Sequence, residues 1–401
     1  MIYKLDNIIQ NYPWGSTTAM NALFGISNPD SLPQAELWMG AHPNGCSKIV
    51  NNGSSQLLSE WIEASPEQVL GRYTCDKFGE LPYLMKVLSA DKPLSIQVHP
   101  KKSKAVEGFE RENQAGIPLS APERNYKDPN HKPELVYALT NYKAMNGFRV
   151  ISEIIELFEQ SGCSVFRPHV QALNACQTPA QLAVFFRTVI ALDGDEKLKA
   201  IAQLMDNIEQ KGKGEVGKEA FAMVAEFSKD YPDDVGLFAP LMLNVIELEA
   251  GEAMFLHAET PHAYVKGTGI EIMANSDNVL RAGLTPKHID VDELLDNTRF
   301  ESIPHQHLRL RPKTKGHRQV YPIPVDDFKF EVLTLSDGSL QETGCQEFVC
   351  SAEIIMCLEG EMTLSTKGAE ILLAKGESAI IADSAGSYRY SGYGKAVRAF
   401  N

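Results

Sequence analysis

The feature that most restricts what this chain can fold into is a change of hydrophobic period, which happens twice along its length. Up to about residue 150, short runs such as "SKIV", "LPYLMKVLS", "LSIQVH" and "ELVYALT" alternate with glycine and proline turns, the pattern of short strands. One helical piece is expected near "KSKAVEGFEREN". From about 151 to 231 the spacing moves to that of helices. Ile154, Ile155 and Leu157 predict one helix and Val184, Phe185, Val189 and Ile190 a second; Leu198, Ile201, Leu204, Met205 and Ile208 predict a third, and Phe221, Val224 and Ala225 a fourth. After "YPDD" the strand texture returns and persists to the end, broken by a short acidic helix around "DVDELLDN". The helical segment reads as an insertion into a β-rich chain.

Laying the chain on itself adds a second constraint. Residues 247–267, "ELEAGEAMFLHAETPHAYVKG", run without a gap beside residues 372–392, "LLAKGESAIIADSAGSYRYSG", and both read as strand, G-E turn, strand, turn, strand. Two similar barrels of short antiparallel strands are expected. His262 of the first copy falls opposite Ser387 of the second, and the last histidine of the chain is His317. The C-terminal copy, without imidazole, is expected to hold no transition metal and to serve packing or partner contact.

Composition excludes several classes of function. A chain of 401 residues, 43% hydrophobic and 22% charged, is long enough for two or three domains and a sizeable core. The start "MIYKLDNIIQNYPWG" lacks the features of a secretory signal, and no stretch approaches the roughly 18 apolar residues of a membrane span, so a cytoplasmic location is expected. The seven cysteines (46, 75, 163, 176, 345, 350, 357) include no C-x-x-C, which suits reduced thiols and directs any metal to nitrogen and oxygen ligands. A formal charge of -14 argues against nucleic acid or an anionic membrane as partner, because both need a basic surface. An anionic substrate would need a local basic cluster.

The stretch "LSIQVHPKK" carries such a contrast within one strand. Side chains two apart point to the same face, so Gln97 and His99 face together while Ile96 and Val98 face the other way. An edge strand wetting its polar side would explain this alone. Other ligand-capable residues are His131, Glu134, His257 and His262. Glu134 follows Pro133 and His262 follows Pro261, each at the mouth of a strand whose start the proline fixes. A rim residue satisfied by solvent is the plain reading of each; convergence of several would make an N/O metal site with an open position.

Several blocks are similar to one family. "YKDPNHKPE" (126–134) and "HAYVKGTGIEIMANSDNVLRAGLTPK" (262–287) resemble the signatures of the type I mannose-6-phosphate isomerases of the cupin superfamily, and "AELWMGAHPNG", "LPYLMKVLSA" and "LSIQVHP" resemble further family blocks. The resemblance implies a mainly β fold of two cupin-like antiparallel β-barrels (jelly rolls) plus an α-helical domain. Residues 1–150 and 232–310 would form the catalytic zinc domain, 151–231 the helical insertion and 311–401 a degenerate C-terminal barrel without metal.

It also implies one zinc per chain on Gln97, His99, Glu134 and His262, with His257 left at the rim. The reaction implied is interconversion of mannose 6-phosphate and fructose 6-phosphate by proton transfer between C1 and C2 through an enediol(ate). The segments supply Lys86, Lys101, Lys102, Lys132, Arg281 and Lys287 as cations; Ser95, Lys86 and Lys101 would hold the phosphate, and Arg281 is the residue the resemblance marks as catalytic. Glu271 and Lys132 are equal candidates for the base, with His131 as a proton shuttle; the plain reading pairs Glu271 with a nearby cation and leaves Lys132 to bind substrate. Partners are expected to be limited to the sugar phosphate, in a monomer or weak homo-oligomer. An iron dioxygenase or a sugar-binding module without turnover are the readings from other classes.

Overall fold

The computed structural model describes residues 1–51, 53–211, 215–335 and 345–401. Two large antiparallel sheets dominate it, with helices set on the outside of one. The first sheet is organised by a single long strand, His262–Ala274. Its first half pairs with Ile96–Val98 on one side and Tyr142–Phe148 on the other; its second half pairs with Tyr83–Ala90 and Glu134–Ala138. Four strands are thus hydrogen-bonded to one ribbon, which itself begins at His262, and two of them carry Gln97 and Glu134.

That ribbon changes face part-way. Ala263 and Val265 lie in the core shared with the helices, Ile270 and Ile272 in the core shared with the second sheet. Odd residues point outward before the break and even ones after it. The cause is a bulge between Tyr264 and Lys266 against Tyr142–Phe148, which inserts one residue and shifts the alternation. Gly267 follows it at φ 125°, where a Cβ would come within 2.5 Å of the Asn141 carbonyl oxygen. The bulge therefore brings His262, Tyr264 and Glu271 to one inner face although their numbers differ in parity.

The helical insertion packs onto the outer face of the same sheet. Ile96, Val98, Met145, Phe148, Leu280 and Ala282 share a core with Ile154, Phe158, Phe185 and Leu204. The alternation in "LSIQVH" has its explanation here: Ile96 and Val98 are covered by helices, which leaves Gln97 and His99 to the inside. The helices run Ile151–Ser161, Arg167–Ala175, Pro179–Ile190, Gly194–Lys211 and Glu215–Phe227. Arg167–Ala175 was not anticipated, because only Val170 and Leu173 of it are buried, too few to mark a period. Val184 and Leu198 point to solvent, 53% and 47% exposed, rather than into the core.

The second sheet contains the C-terminal strands Lys329–Leu335, Cys345–Phe348, Glu353–Ser365, Glu370–Ala374, Ser378–Ile381 and Ser387–Phe400. Strands of the two copies begin at matching places: Ala253–Leu256 and Ser378–Ile381 are the second strands, and His262 and Ser387 open the third. The expected boundary at residue 311 is not the boundary of the sheets, however. Ile2–Asp6 pairs with Ser378–Ile381 on one side and with Lys48–Asn51 on the other, so the N-terminal strands complete the C-terminal sheet. Nor is that barrel free of imidazole, because the ring of His317 is hydrogen-bonded to the Tyr390 hydroxyl.

Between the sheets, Tyr83, Met85, Leu135, Tyr137, Ile270 and Ile272 meet Phe330, Val332, Ile354, Met356, Val397 and Ala399. Three short helices, Leu58–Ala64, Pro66–Leu70 and Arg72–Phe78, add Leu58, Trp61, Val69 and Leu70 to this layer. They fall where the sequence read as strands and turns, since helices this short do not display a 3.6-residue period. All seven cysteines are free, and among the described residues no helix is long and apolar enough to cross a membrane.

Candidate metal centre

The inner face of the first sheet brings His99, Glu134 and His262 together, their ligand-capable atoms all within 4.8 Å of one another. His99 Nε2 lies 3.3 Å from Glu134 Oε1 and His262 Nε2 3.5 Å from Glu134 Oε2. All three residues are buried, at 1%, 2% and 2% exposure. Each imidazole is oriented from behind: His99 Nδ1 is 2.7 Å from the Asn278 carbonyl oxygen and His262 Nδ1 2.9 Å from that of Thr260. An Nδ1–H donating to a carbonyl fixes the tautomer that presents a lone pair on Nε2. His99 Nε2 makes no hydrogen bond although it is buried. Orphaned nitrogen, paired carboxylate and outer carbonyls together are the donor set of a zinc site, so the residues present fit a metal.

Gln97 joins by register. It sits directly opposite His262 on one side and opposite Arg281 of Leu280–Gly283 on the other. Ser95 precedes it, half-buried, on the same alternation. His257 is outside the cluster, exposed, with its ring edge on Phe255.

Electrostatics favour a neutral imidazole beside a charged carboxylate. Burial, reinforced by the Lys132 ammonium, pushes His99 down to about 4. Burial alone would raise Glu134, but Lys132, His99 and the hydrogen bond from His262 outweigh it and hold the carboxyl well below its usual range. Lys132 Nζ lies 3.1 Å from Glu134 Oε1, and the Tyr264 hydroxyl donates to Glu134 Oε2 at 2.7 Å.

The expected cations separate into committed and uncommitted ones. Lys86 is buried with Nζ 3.0 Å from Glu271 Oε2 and 3.6 Å from Glu36 Oε1, so its charge is balanced within the barrel. Lys101 is paired to Glu259 at 3.3 Å, and Lys102 donates to Asn130. Arg281 makes no side-chain hydrogen bond or ion pair among the described residues, and burial lowers its pKa. Its charge, with burial, in turn lowers Lys287. The ring of His131 is turned to Asp327, with Nε2 3.0 Å from both carboxylate oxygens.

Sequence reasoning did not single out Tyr264, Asp277 or Asn278. Tyr264 was available from spacing, two residues after His262 and on its face. Asn278, fully buried, donates to the carbonyls of Asp128 and Asn130 and accepts from the Lys127 amide, while its own carbonyl holds His99. Asp277 pairs with His42 at 3.3 Å. No local signal marks those two.

Comparison with known proteins decides the family. Residues 2–151 match "Phosphomannose isomerase type I, catalytic domain", 162–243 match "Phosphomannose isomerase type I, helical insertion domain", and 317–401 match "Mannose-6-phosphate isomerase, cupin domain". The mannose-6-phosphate isomerase of Salmonella typhimurium is 48% identical over 402 residues, covering 99% of both chains. The chain belongs to the type I phosphomannose isomerase family. Its human relative is 36% identical over 91% of this chain and 89% of that protein. Among solved structures, the H99A mutant of phosphomannose isomerase from Salmonella typhimurium superposes with a TM-score of 0.93 at 45% identity, covering 100% of this chain and 99% of that one. A zinc-bound mannose 6-phosphate isomerase gives 0.92 at 46% identity with the same coverage.

Proposed function

We propose that the chain is a zinc-dependent aldose-ketose isomerase that interconverts mannose 6-phosphate and fructose 6-phosphate. The observation that carries this reading is the buried His99–Glu134–His262 cluster beside a half-buried Arg281 that has no ion-pair or hydrogen-bond partner among the described residues. Gln97, His99, Glu134 and His262 would hold the metal, which would supply a Lewis acid for the sugar oxygens when bound.

The chain's own residues divide the remaining work. Arg281, permanently charged and poorly hydrated where it lies, stabilises negative charge as it develops on the enediolate. Lys287 and Ser95 receive the phosphate, since Lys86 and Lys101 are engaged elsewhere. The C2 proton passes to Glu271 or Lys132, both on the inner face. Burial raises Glu271, opposed by Lys86, and the pair keeps the carboxylate held in one place. Lys132 is held against Glu134. His131, bonded to Asp327, fixes the segment that carries Lys132. Catalytic residues would then belong to 1–150 and 232–310, without the strands that join the C-terminal sheet.

A coupled assay for fructose 6-phosphate formation tests the reading, run on mannose 6-phosphate and on other aldose phosphates. Turnover of mannose 6-phosphate, lost on chelation and restored by zinc, is expected. Stoichiometric iron with oxygen uptake, or binding of sugar without turnover, would overturn it.

A further inference from the structure

One cavity of the first barrel lies away from the metal ligands. It has a volume of about 290 Å³ and is walled by the end of Tyr142–Phe148, the turn 257–261 and the segment 299–310; its lining includes none of Gln97, His99, Glu134, His262 and Arg281. One row across the sheet sets its place. Arg281 stands opposite Gln97, Gln97 opposite His262, and His262 opposite Asn146, which belongs to the cavity wall. Neighbouring strands lie about 4.8 Å apart, so three steps put Asn146 roughly 14 Å from Arg281, on the other side of the metal cluster.

The walls are fixed by their own backbone. Asn244, buried, brings Nδ2 to 3.0 Å from the carbonyl oxygens of both Phe148 and Ile303, and the Ile303 amide donates to the Phe148 carbonyl at 2.9 Å. Gly147, at φ 67°, admits Ile303, since a Cβ there would come within 2.4 Å of Ile303 Cδ1. On the other side Glu259 keeps φ 63°, uncommon for a residue with a side chain. Its amide donates to the His99 carbonyl at 2.7 Å, and its carbonyl accepts from the Arg299 amide at 2.8 Å. A backbone pinned in this way shapes the cavity before any ligand arrives.

The lining is apolar with a few polar groups, the character of a small-molecule site. Phe148, Phe255, Ile303, Leu308 and Leu310 supply the apolar part, and Asn146, Thr260, Ser302, His257 and His307 the polar part. Asn146 is 2% exposed; its Nδ2 donates to the Phe255 carbonyl at 3.3 Å, while its Oδ1 accepts nothing among the described residues. The reverse orientation of the amide would set two oxygens against each other, so the acceptor is the end without a partner. A buried acceptor of this kind calls for a donor such as a hydroxyl. Full charges in the lining are already matched, Arg299 Nη2 lying 2.5 Å from Glu301 Oε2. We propose that the cavity is a second, non-catalytic site for an uncharged sugar, whose hydroxyls meet Asn146, Thr260 and Ser302 and whose C–H surface packs on the apolar wall. The volume is near the lower limit of small-molecule sites, roughly 300 Å³, and suits a single sugar ring.

Saturation-transfer NMR on the full-length, zinc-loaded chain tests this, with free mannose as the probe. The mannose signal is expected to persist under excess mannose 6-phosphate, which by the reading above occupies the metal centre. Ser302→Phe and Ala258→Phe each add a ring to a different wall and are expected to abolish that signal; should one of them fail to fold, the other decides. Asn146→Leu, of similar volume but without the acceptor, is expected to raise the Kd for mannose by about 3- to 10-fold. Loss of the signal under mannose 6-phosphate, its survival in a folded filling variant, or an unchanged Kd in Asn146→Leu overturns the proposal. A chain that binds mannose in this way but turns over no mannose 6-phosphate counts against the isomerase reading alone, because the filling variants still locate the sugar.

Discussion

His257 and His262 flank one turn, yet only the second turns its ring to Glu134. His262→Ala is expected to lose metal and activity together, while His257→Ala keeps most of both; equal loss in the two, by elemental analysis and coupled assay, would exchange their roles. Arg281 is expected to act in the transition state more than in the ground state, so Arg281→Ala should lower kcat by roughly 10²-fold or more with zinc retained. Arg281→Lys, which keeps charge and loses the planar fork, should recover part of it. A rise in KM alone would make Arg281 a phosphate contact. His99 carries a pH prediction. Its folded pKa of about 4 lies below the usual 6.5, so the unfolded chain binds the proton more readily and stability is lost as pH falls from 6.5 through 4. Chelator-treated protein should lose roughly 3 kcal/mol across that window from this residue. Urea titrations at several pH values check it, His99→Gln giving a flatter profile; equal slopes would remove His99 from the account.

At the scale of the element, the decisive object is the bulged strand His262–Ala274. Without the inserted residue, either the pair His262 and Tyr264 or Glu271 would face a hydrophobic core. Gly267 permits the change of course, with its positive φ and the Asn141 carbonyl oxygen where a Cβ would crowd it. Gly267→Ala is expected to cost about 2–3 kcal/mol and to loosen metal binding, because both halves of the site hang from this strand. Thermal melts with and without zinc check it. An unchanged melting temperature would show that the backbone relaxes without strain.

At the scale of the whole molecule, the two sheets are not independent. They share one apolar layer, Tyr83 donates to the carbonyls of Ala352 and Ala399, and the N-terminal strand completes the C-terminal sheet. A chain ending before residue 313 would expose Tyr137, Ile270 and Ile272 and leave Ile2–Asp6 without its partner Ser378–Ile381. Calorimetry of the full chain is expected to show both sheets melting in one transition; two separated transitions, the first leaving the metal site intact, would contradict the shared core.

The sequence by itself determined what local spacing can carry: the helical insertion from its period, the paired barrels from a repeat, the common face of Gln97 and His99 from two-residue alternation, and Glu134 and His262 as residues aimed by the prolines before them. It could not decide which cations are free. Lys86 and Arg281 look alike in a sequence, and only the fold sets Lys86 against Glu271 and Glu36 while giving Arg281 no ion pair among the described residues. Nor could it place the N-terminal strand in the C-terminal sheet, reveal Asn278 beneath His99, or gather Asn146, Thr260 and Ser302 around one cavity. Each depends on residues far apart in the chain becoming neighbours across a ladder, and a hydrogen bond or ion pair exists only once the ladder's register is set.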